Sequence, residues 1–201
     1  MAFDEPPEAL VYVRESTEMS YGIYLTNSDY CNLSNNTIIA KSNKDIGIKL
    51  KNSDFNNVYK NNVSSSDKSS SYGAYVEDGS NYNKLIENEF RDNYYGIYAS
   101  SSKRNIVSKN NVYSNKKDGT WYEEECEKIK LSNNTISSNG YYGIHFEDCK
   151  DTLINGNDVK SSSRGGVYLK KCDRNEIINN EIHLNKYQGI YLYTCNENTM
   201  A

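Results

Sequence analysis

An all-β solenoid of about eight coils is predicted by three features of the 201-residue sequence. A glycine-led phrase returns eight times at nearly constant spacing, an asparagine-led phrase recurs between those glycines, and no helical periodicity separates the two.

The glycine phrase reads Gly22-Ile23-Tyr24-Leu25, and returns at Gly47, Gly73, Gly96, Gly119, Gly143, Gly166 and Gly189. The intervals are 25, 26, 23, 23, 24, 23 and 23 residues. Its alternating apolar residues predict a strand. The second phrase is Asn, one free residue, then an aliphatic or Phe. It appears as Asn36-Thr37-Ile38, Asn61-Asn62-Val63, Asn88-Glu89-Phe90, Asn110-Asn111-Val112, Asn134-Thr135-Ile136, Asn157-Asp158-Val159 and Asn180-Glu181-Ile182. A looser third phrase precedes it, as in Asn83-Lys84-Leu85-Ile86 and Asn175-Glu176-Ile177-Ile178. Each period of about 24 residues therefore holds three short strands divided by Asn, Ser, Asp and Gly turns.

That period is too short for helical-pair repeats or propeller blades. It overlaps the leucine-rich repeats, but those require a helical or 3₁₀ phase that this chain lacks. Strands alone must close each coil, and each strand then pairs with its counterpart ~4.8 Å along the axis. The architecture is a single-stranded parallel β-helix. Asn at a fixed phase bonds to its counterpart coil by coil as a ladder. The recurring glycine is expected to permit positive φ at a tight corner.

Composition sets bounds. Apolar residues are only 36%, but 19 Tyr against 4 Phe, with 2 Pro, point to an ordered aromatic surface rather than disorder. The net charge of −4 excludes a nucleic-acid-binding surface by bulk charge. No apolar run is long enough to insert in a membrane, and Met1–Pro7 lacks the features of a signal peptide. Residues 1–20, with Leu10-Val11-Tyr12-Val13, are expected to form an N-terminal cap or partial coil, and 21–201 the repeat domain. The chain stops inside a coil at Thr199-Met200-Ala201 with no capping segment, so truncation or continuation by contact with a partner is expected.

Asn175–Ile182 followed by Tyr187–Leu192 resembles the parallel β-helix repeat of the CASH group, the carbohydrate-binding proteins and sugar hydrolases. That group includes NosD-like, alginate-epimerase and pectin-lyase-like proteins. The resemblance runs over residues 21–198 and implies a right-handed coil. The Asn- and Tyr-rich flavour is similar to repeat regions of large archaeal and bacterial surface proteins, which implies an extracellular or cell-surface location, often within a longer chain.

Strand alternation assigns the faces. The first and third residues after each glycine point inward. Between them an outward column reads Tyr24, Lys49, Tyr75, Tyr98, Trp121, His145, Tyr168, Tyr191. Further rings, including Tyr21, Tyr72, Tyr95 and Tyr142, stand just before the glycines. Rings about 5 Å apart along a rod suit a linear glycan, because pyranose C–H faces stack on aromatics. Tyr24, Tyr75, Tyr98, Trp121, Tyr168 and Tyr191 are the candidate ligand-binding residues. Cross-strand stacking alone also accounts for such a column.

Acids gather mid-chain, with Glu123, Glu124, Glu125 and Glu127 in one coil and Glu147, Asp148 and Asp151 in the next. Glu123, Glu147, Asp148 and His145 are the candidate catalytic residues, as paired carboxylates with a proton shuttle. The same oxygens are candidate Ca²⁺ ligands, although no cofactor is required. A solvated acidic turn is the plain alternative. The chain lacks the clustered Asp with Arg or Lys of pectate lyases, the Gly-His-Gly of polygalacturonases and the Asp-Pro-His-Asp of alginate epimerases. Cys126, Cys149, Cys172 and Cys195 share a phase with Ser28, Ser53, Gly79 and Ser102, which reads as a column of small buried residues. No CxxC spacing marks a metal site.

Three functions are compatible with these features. The first is a polysaccharide-binding module of a surface or secreted protein. The second is a polysaccharide lyase or glycoside hydrolase. The third is a spacer or self-association module.

Overall fold

The computed structural model describes the backbone of residues 9–12, and residues 20–41, 44–65 and 70–201 in full. Three eight-stranded sheets run along one axis, and every pairing between strands is parallel. Sheet 1 holds the glycine phrases, from Tyr21–Thr26 to Ile190–Tyr193. Sheet 2 holds the looser phrases, from Asn32–Ser34 to Thr199–Met200. Sheet 3 holds the Asn-x-aliphatic phrases and runs to Glu181–His183. Its first strand, Ala9–Tyr12, pairs with Asn36–Ala40 and comes from the Leu10-Val11-Tyr12-Val13 run. Residues 1–8 and 13–19, part of the expected cap, lie outside the described residues.

The interior is a triangular core filled one layer per coil. Ile144 and Phe146 from sheet 1, Ile154 from sheet 2 and Val159 from sheet 3 are all buried in one coil. Tyr122 also points inward, fully buried, and stacks on Phe146 with ring centroids 4.5 Å apart.

The asparagine ladder between sheets 2 and 3 is continuous from Asn36 through Asn61, Asn88, Asn110, Asn134 and Asn157 to Asn180. At Asn134 the Oδ1 accepts from the backbone N (2.9 Å) and Nδ2 (3.0 Å) of Asn110. Its Nδ2 donates to Val107 O and Asn157 Oδ1, both at 2.9 Å. A second ladder between sheets 1 and 2 contains Asn56, Asn83 and Asn105, gives way to Ile129 and Thr152, and resumes at Asn175 and Asn198. A third, not anticipated, links Asn93, Asn115 and Asn139 between sheets 3 and 1. These side chains satisfy corner backbone groups that the sheet ladders leave unpaired.

The glycines do not serve as expected. Only Gly79 and Gly156 have positive φ, and neither belongs to the repeating phrase. The corners turn on single left-handed non-glycine residues instead, such as Lys109, Asn133 and Asn179 ahead of the first ladder. The phrase glycines are required by close approach. A Cβ on Gly119 would lie 2.7 Å from Asn139 Nδ2, from Gly143 O and from Ile136 Cγ2. The strand passes so near the sheet 3 aliphatics and the next coil that no side chain fits.

The small-residue column also needs one correction: Ser80, not Gly79, holds that position. Ser53 N donates to Ser80 Oγ, while Gly79 is an extra residue in the turn with open space around it. Glu124 and Glu125 are both left-handed, and the added residue restores Cys126 to the column. Cys126, Cys149 and Cys172 are buried, and the Cys149 thiol donates to the Glu147 carbonyl at 3.1 Å. Burial pushes the Cys149 thiol up. Only Cys31 and Cys195 are partly accessible. Ellman titration of the native protein is therefore expected to label at most those two thiols, and all five in urea; native labelling of more than two contradicts the packing.

Candidate functional site: the aromatic face of sheet 1

The register of sheet 1 aligns Tyr24 with Lys49, Lys49 with Tyr75, Tyr75 with Tyr98, Tyr98 with Trp121, Trp121 with His145, His145 with Tyr168, and Tyr168 with Tyr191. Centroid separations from Tyr75 to Tyr191 are 4.7, 5.2, 5.4, 5.0 and 5.3 Å. The rings preceding the glycines pack beside this column. Tyr72 stacks on Tyr75 and Tyr142 on Tyr168, while Tyr95 packs against Trp121 with its plane tilted by 48°. The result is an axial band, two rings wide at the coils of Tyr21, Tyr72, Tyr95 and Tyr142.

Its members differ in access. Tyr24 and Tyr191, at opposite ends, are 40% exposed, and Tyr75, Trp121 and Tyr168 are half-buried. Tyr98 is only 8% exposed, and its hydroxyl donates to Glu123 Oε1. It buttresses the band rather than presenting a face. Lys49 interrupts the rings without breaking the band. Its ammonium lies 5.3, 5.6 and 5.0 Å from the Tyr21, Tyr24 and Tyr75 centroids and 2.8 Å from Glu77 Oε1. Desolvation raises the Tyr142 phenol to about 12.

His145 stacks on Trp121 with planes 7° apart, and its Nδ1 lies 3.4 Å from Asp118 Oδ2. Asp118 is buried, and its other oxygen accepts from Tyr142 N. This orienting carboxylate was not singled out in the sequence, because it stands just before a phrase glycine and meets His145 only after a full coil. His145 Nε2 is buried without a partner. Glu123 and Glu147 stand on adjacent strands of sheet 1, and each candidate carboxylate has its own partner. Glu123 lies beside the band, its carboxyl raised chiefly by burial and further by the charges of Glu124 and Glu147. Glu147 is held by Lys170 Nζ at 2.6 Å, and Asp148 faces Lys171 at 3.7 Å.

The remaining acids disperse over the corner leading to sheet 2. Glu124, Glu125, Asp148 and Asp173 line a cleft of about 620 Å³ together with Lys103, Lys150 and Lys171. Glu127 is paired with Lys103 at 3.2 Å and Lys128 at 2.6 Å, and these cations hold its carboxyl down at about 2. Among the described residues, only Asp158, Glu181 and His183 bring three metal-ligating atoms within 4.8 Å of one another. They stand on the outer face of sheet 3, where Lys160 Nζ also contacts Asp158 Oδ2.

The fold recurs in solved structures. A double mutant of the periplasmic alginate epimerase AlgG matches 90% of this chain and 48% of its own, with TM-score 0.78 and 18% identity. The Dettilon tailspike protein matches 96% and 52%, with TM-score 0.62 and 12% identity. The A-module of the Azotobacter vinelandii mannuronan C-5 epimerase AlgE4 matches 85% and 59%, with TM-score 0.56 and 14% identity. The chain thus spans about half to three-fifths of those chains. These likenesses place it among right-handed, pectin-lyase-like β-helices. Comparison with curated proteins finds no match. A family model described as "Periplasmic copper-binding protein (NosD)" matches residues 12–95 and 88–201, and the chain belongs to the NosD family.

Proposed function

We propose that this chain binds a linear polysaccharide along the aromatic face of sheet 1, outside the cytoplasm. The observation that carries this reading is the axial band itself. Its rings repeat at about 5 Å through the coils from Tyr72 to Tyr191, with an accessible tyrosine at each end of the wider column. An apolar strip with polar phenol tips complements the alternating C–H faces and hydroxyls of a sugar chain. The residue columns flanking it mix Lys51 and Lys170 with Glu77, Glu123 and Glu147, so the strip does not select by charge. The fold is shared with proteins described as alginate and mannuronan epimerases, and the NosD and AlgG descriptions both say periplasmic, which supports the location.

The family description also implies copper, and the described residues do not make a preformed copper centre. The Asp158–Glu181–His183 group shares Asp158 with the Lys160 ammonium, and Glu181 is largely exposed. The stacked thiols are committed to backbone carbonyls, as at Cys126 to Ala99 O and Cys172 to Lys170 O.

Screening on a broad glycan array, followed by titration calorimetry, tests the binding reading. Tyr191→Ala and Trp121→Ala are each expected to weaken the best-bound glycan by about tenfold, or ~1.4 kcal/mol, with the circular dichroism spectrum unchanged. Absence of binding across the array sinks the proposal.

A further inference from the structure

A second surface lies one corner away. Tyr30, Phe55 and Tyr82 occupy equivalent left-handed positions on three successive coils and stack face to face. Their centroids are 5.1 and 4.8 Å apart, with planes 3° and 9° from parallel. Arg104 continues the column, with its guanidinium 5.6 Å from the Tyr82 centroid. These rings are 77%, 45% and 42% exposed, more than the well-packed middle of the sheet 1 band, and no core packing accounts for them.

Two adjoining hollows run beside this column over the outer face of sheet 2. One, of about 580 Å³, is lined by Tyr30, Phe55, Tyr82, Tyr59 and Lys84. The other, of about 360 Å³, is lined by Tyr82, Arg104, Ile106, Lys128, Lys130 and Leu153, and reaches Asp151. Tyr82 borders both, so they form one axial groove. From the coil of Tyr30 to that of Asp151 it spans roughly 24 Å at the inter-coil spacing. That length suits an extended oligomer rather than a single ring.

The groove is basic on a chain whose net charge is −4. It gathers Lys84, Arg104, Lys128 and Lys130 against one acid, Asp151, which Arg174 already pairs at 2.7 Å. Lys84, Arg104 and Lys130 make no ion pair among the described residues. Unpaired cations above an apolar floor are complementary to a polymer of modest negative charge. The faces of Phe55 and Tyr82 are covered by Tyr30, by one another and by Arg104, which leaves their edges and the Tyr82 hydroxyl to the groove. Nucleobases require open faces for stacking, whereas carboxylates and hydroxyls of an acidic sugar chain do not.

We infer that the sheet 2 groove, lined by Tyr82, Lys84, Arg104 and Lys130, binds a linear anionic glycan of the polyuronate class, independently of the sheet 1 band. Polygalacturonate, neutral dextran and a single-stranded DNA of equal charge are titrated against the intact chain at low and moderate salt. Polygalacturonate is expected to bind with an affinity that falls with salt. The Lys84→Ala/Lys130→Ala double variant is expected to lose about tenfold at low salt while keeping its circular dichroism. Tyr82→Ala is expected to weaken it further, and Trp121→Ala to leave this salt-dependent binding intact. Failure of polygalacturonate to bind, equal binding by the folded double variant, or tighter binding of the DNA would each overturn the inference. Loss confined to Trp121→Ala would assign all binding to sheet 1 instead.

Discussion

Asn134→Ala is expected to lower the unfolding free energy by about 4 kcal/mol, because it orphans several buried groups at once. The Asn134 side chain accepts from the backbone N and Nδ2 of Asn110 and donates to the Val107 carbonyl and Asn157 Oδ1. All four residues are buried, so water cannot replace the lost partners without opening the coil. Asn110 Nδ2 keeps Leu85 O, and Asn157 Oδ1 keeps Asn134 N. The uncompensated groups are therefore the Asn110 N–H and one Asn110 amide hydrogen, each costing about 1–3 kcal/mol, and the Val107 carbonyl loses one of its partners while its strand stays paired. The neighbouring Asn133→Ala is the control. Asn133 is exposed and left-handed, with φ 56°, so its replacement is expected to cost about 1 kcal/mol through backbone strain alone. Urea unfolding followed by far-ultraviolet dichroism and by Trp121 fluorescence separates the two, since the sole Trp reports on the same coil. A loss below about 1 kcal/mol at Asn134 would mean that the ladder is ornamental.

The contrast between these adjacent asparagines explains what the sequence makes legible. Asn134 is distinguished from Asn133 only by its distance to Ile136, and that spacing repeats in seven coils. Periodicity therefore reveals the ladder, the three strands per coil and the outward Tyr/Trp column in correct register. It fails where one coil gains a residue. Gly79 lengthens one turn, so Tyr30, Phe55 and Tyr82 stand 8, 8 and 9 residues after their glycines, and their stack is concealed. The same insertion put Gly79 where Ser80 belongs. The Asn93–Asn115–Asn139 ladder was hidden for another reason, since no aliphatic landmark follows it at fixed distance. Asp118 meets His145 across 27 residues, a contact made by coil stacking and not by any local pattern. The Glu123 to Glu127 run shows what spacing alone leaves open. Consecutive residues at a corner diverge to the aromatic face, the corner cleft and a column of paired charges.

Gly119→Ala is expected to be more damaging than its single added carbon implies, costing about 3 kcal/mol or preventing folding of the central coils. The methyl would lie 2.7 Å from three separate groups, one of them the Gly143 carbonyl of the next strand. Side-chain rotation relieves contact with Ile136, but the carbonyl is fixed by its place in the parallel sheet. The coil spacing must open locally, and the neighbouring Trp121–His145 stack and Asn139 ladder bonds open with it. Gly79→Ala gives the opposite balance. Its Cβ would meet nothing within 4 Å, but its φ of +75° penalises an L side chain, so a loss of about 1 kcal/mol is expected. If the phrase glycines served their corner by positive φ, the two variants would cost the same. Thermal and urea unfolding of both therefore decides between conformational freedom and close approach. A Gly119→Ala loss no larger than that of Gly79→Ala would reject the packing account. The expected threefold difference would mean that the repeating glycine sets how tightly the aromatic sheet lies against its core, and with it the pitch of the ring column.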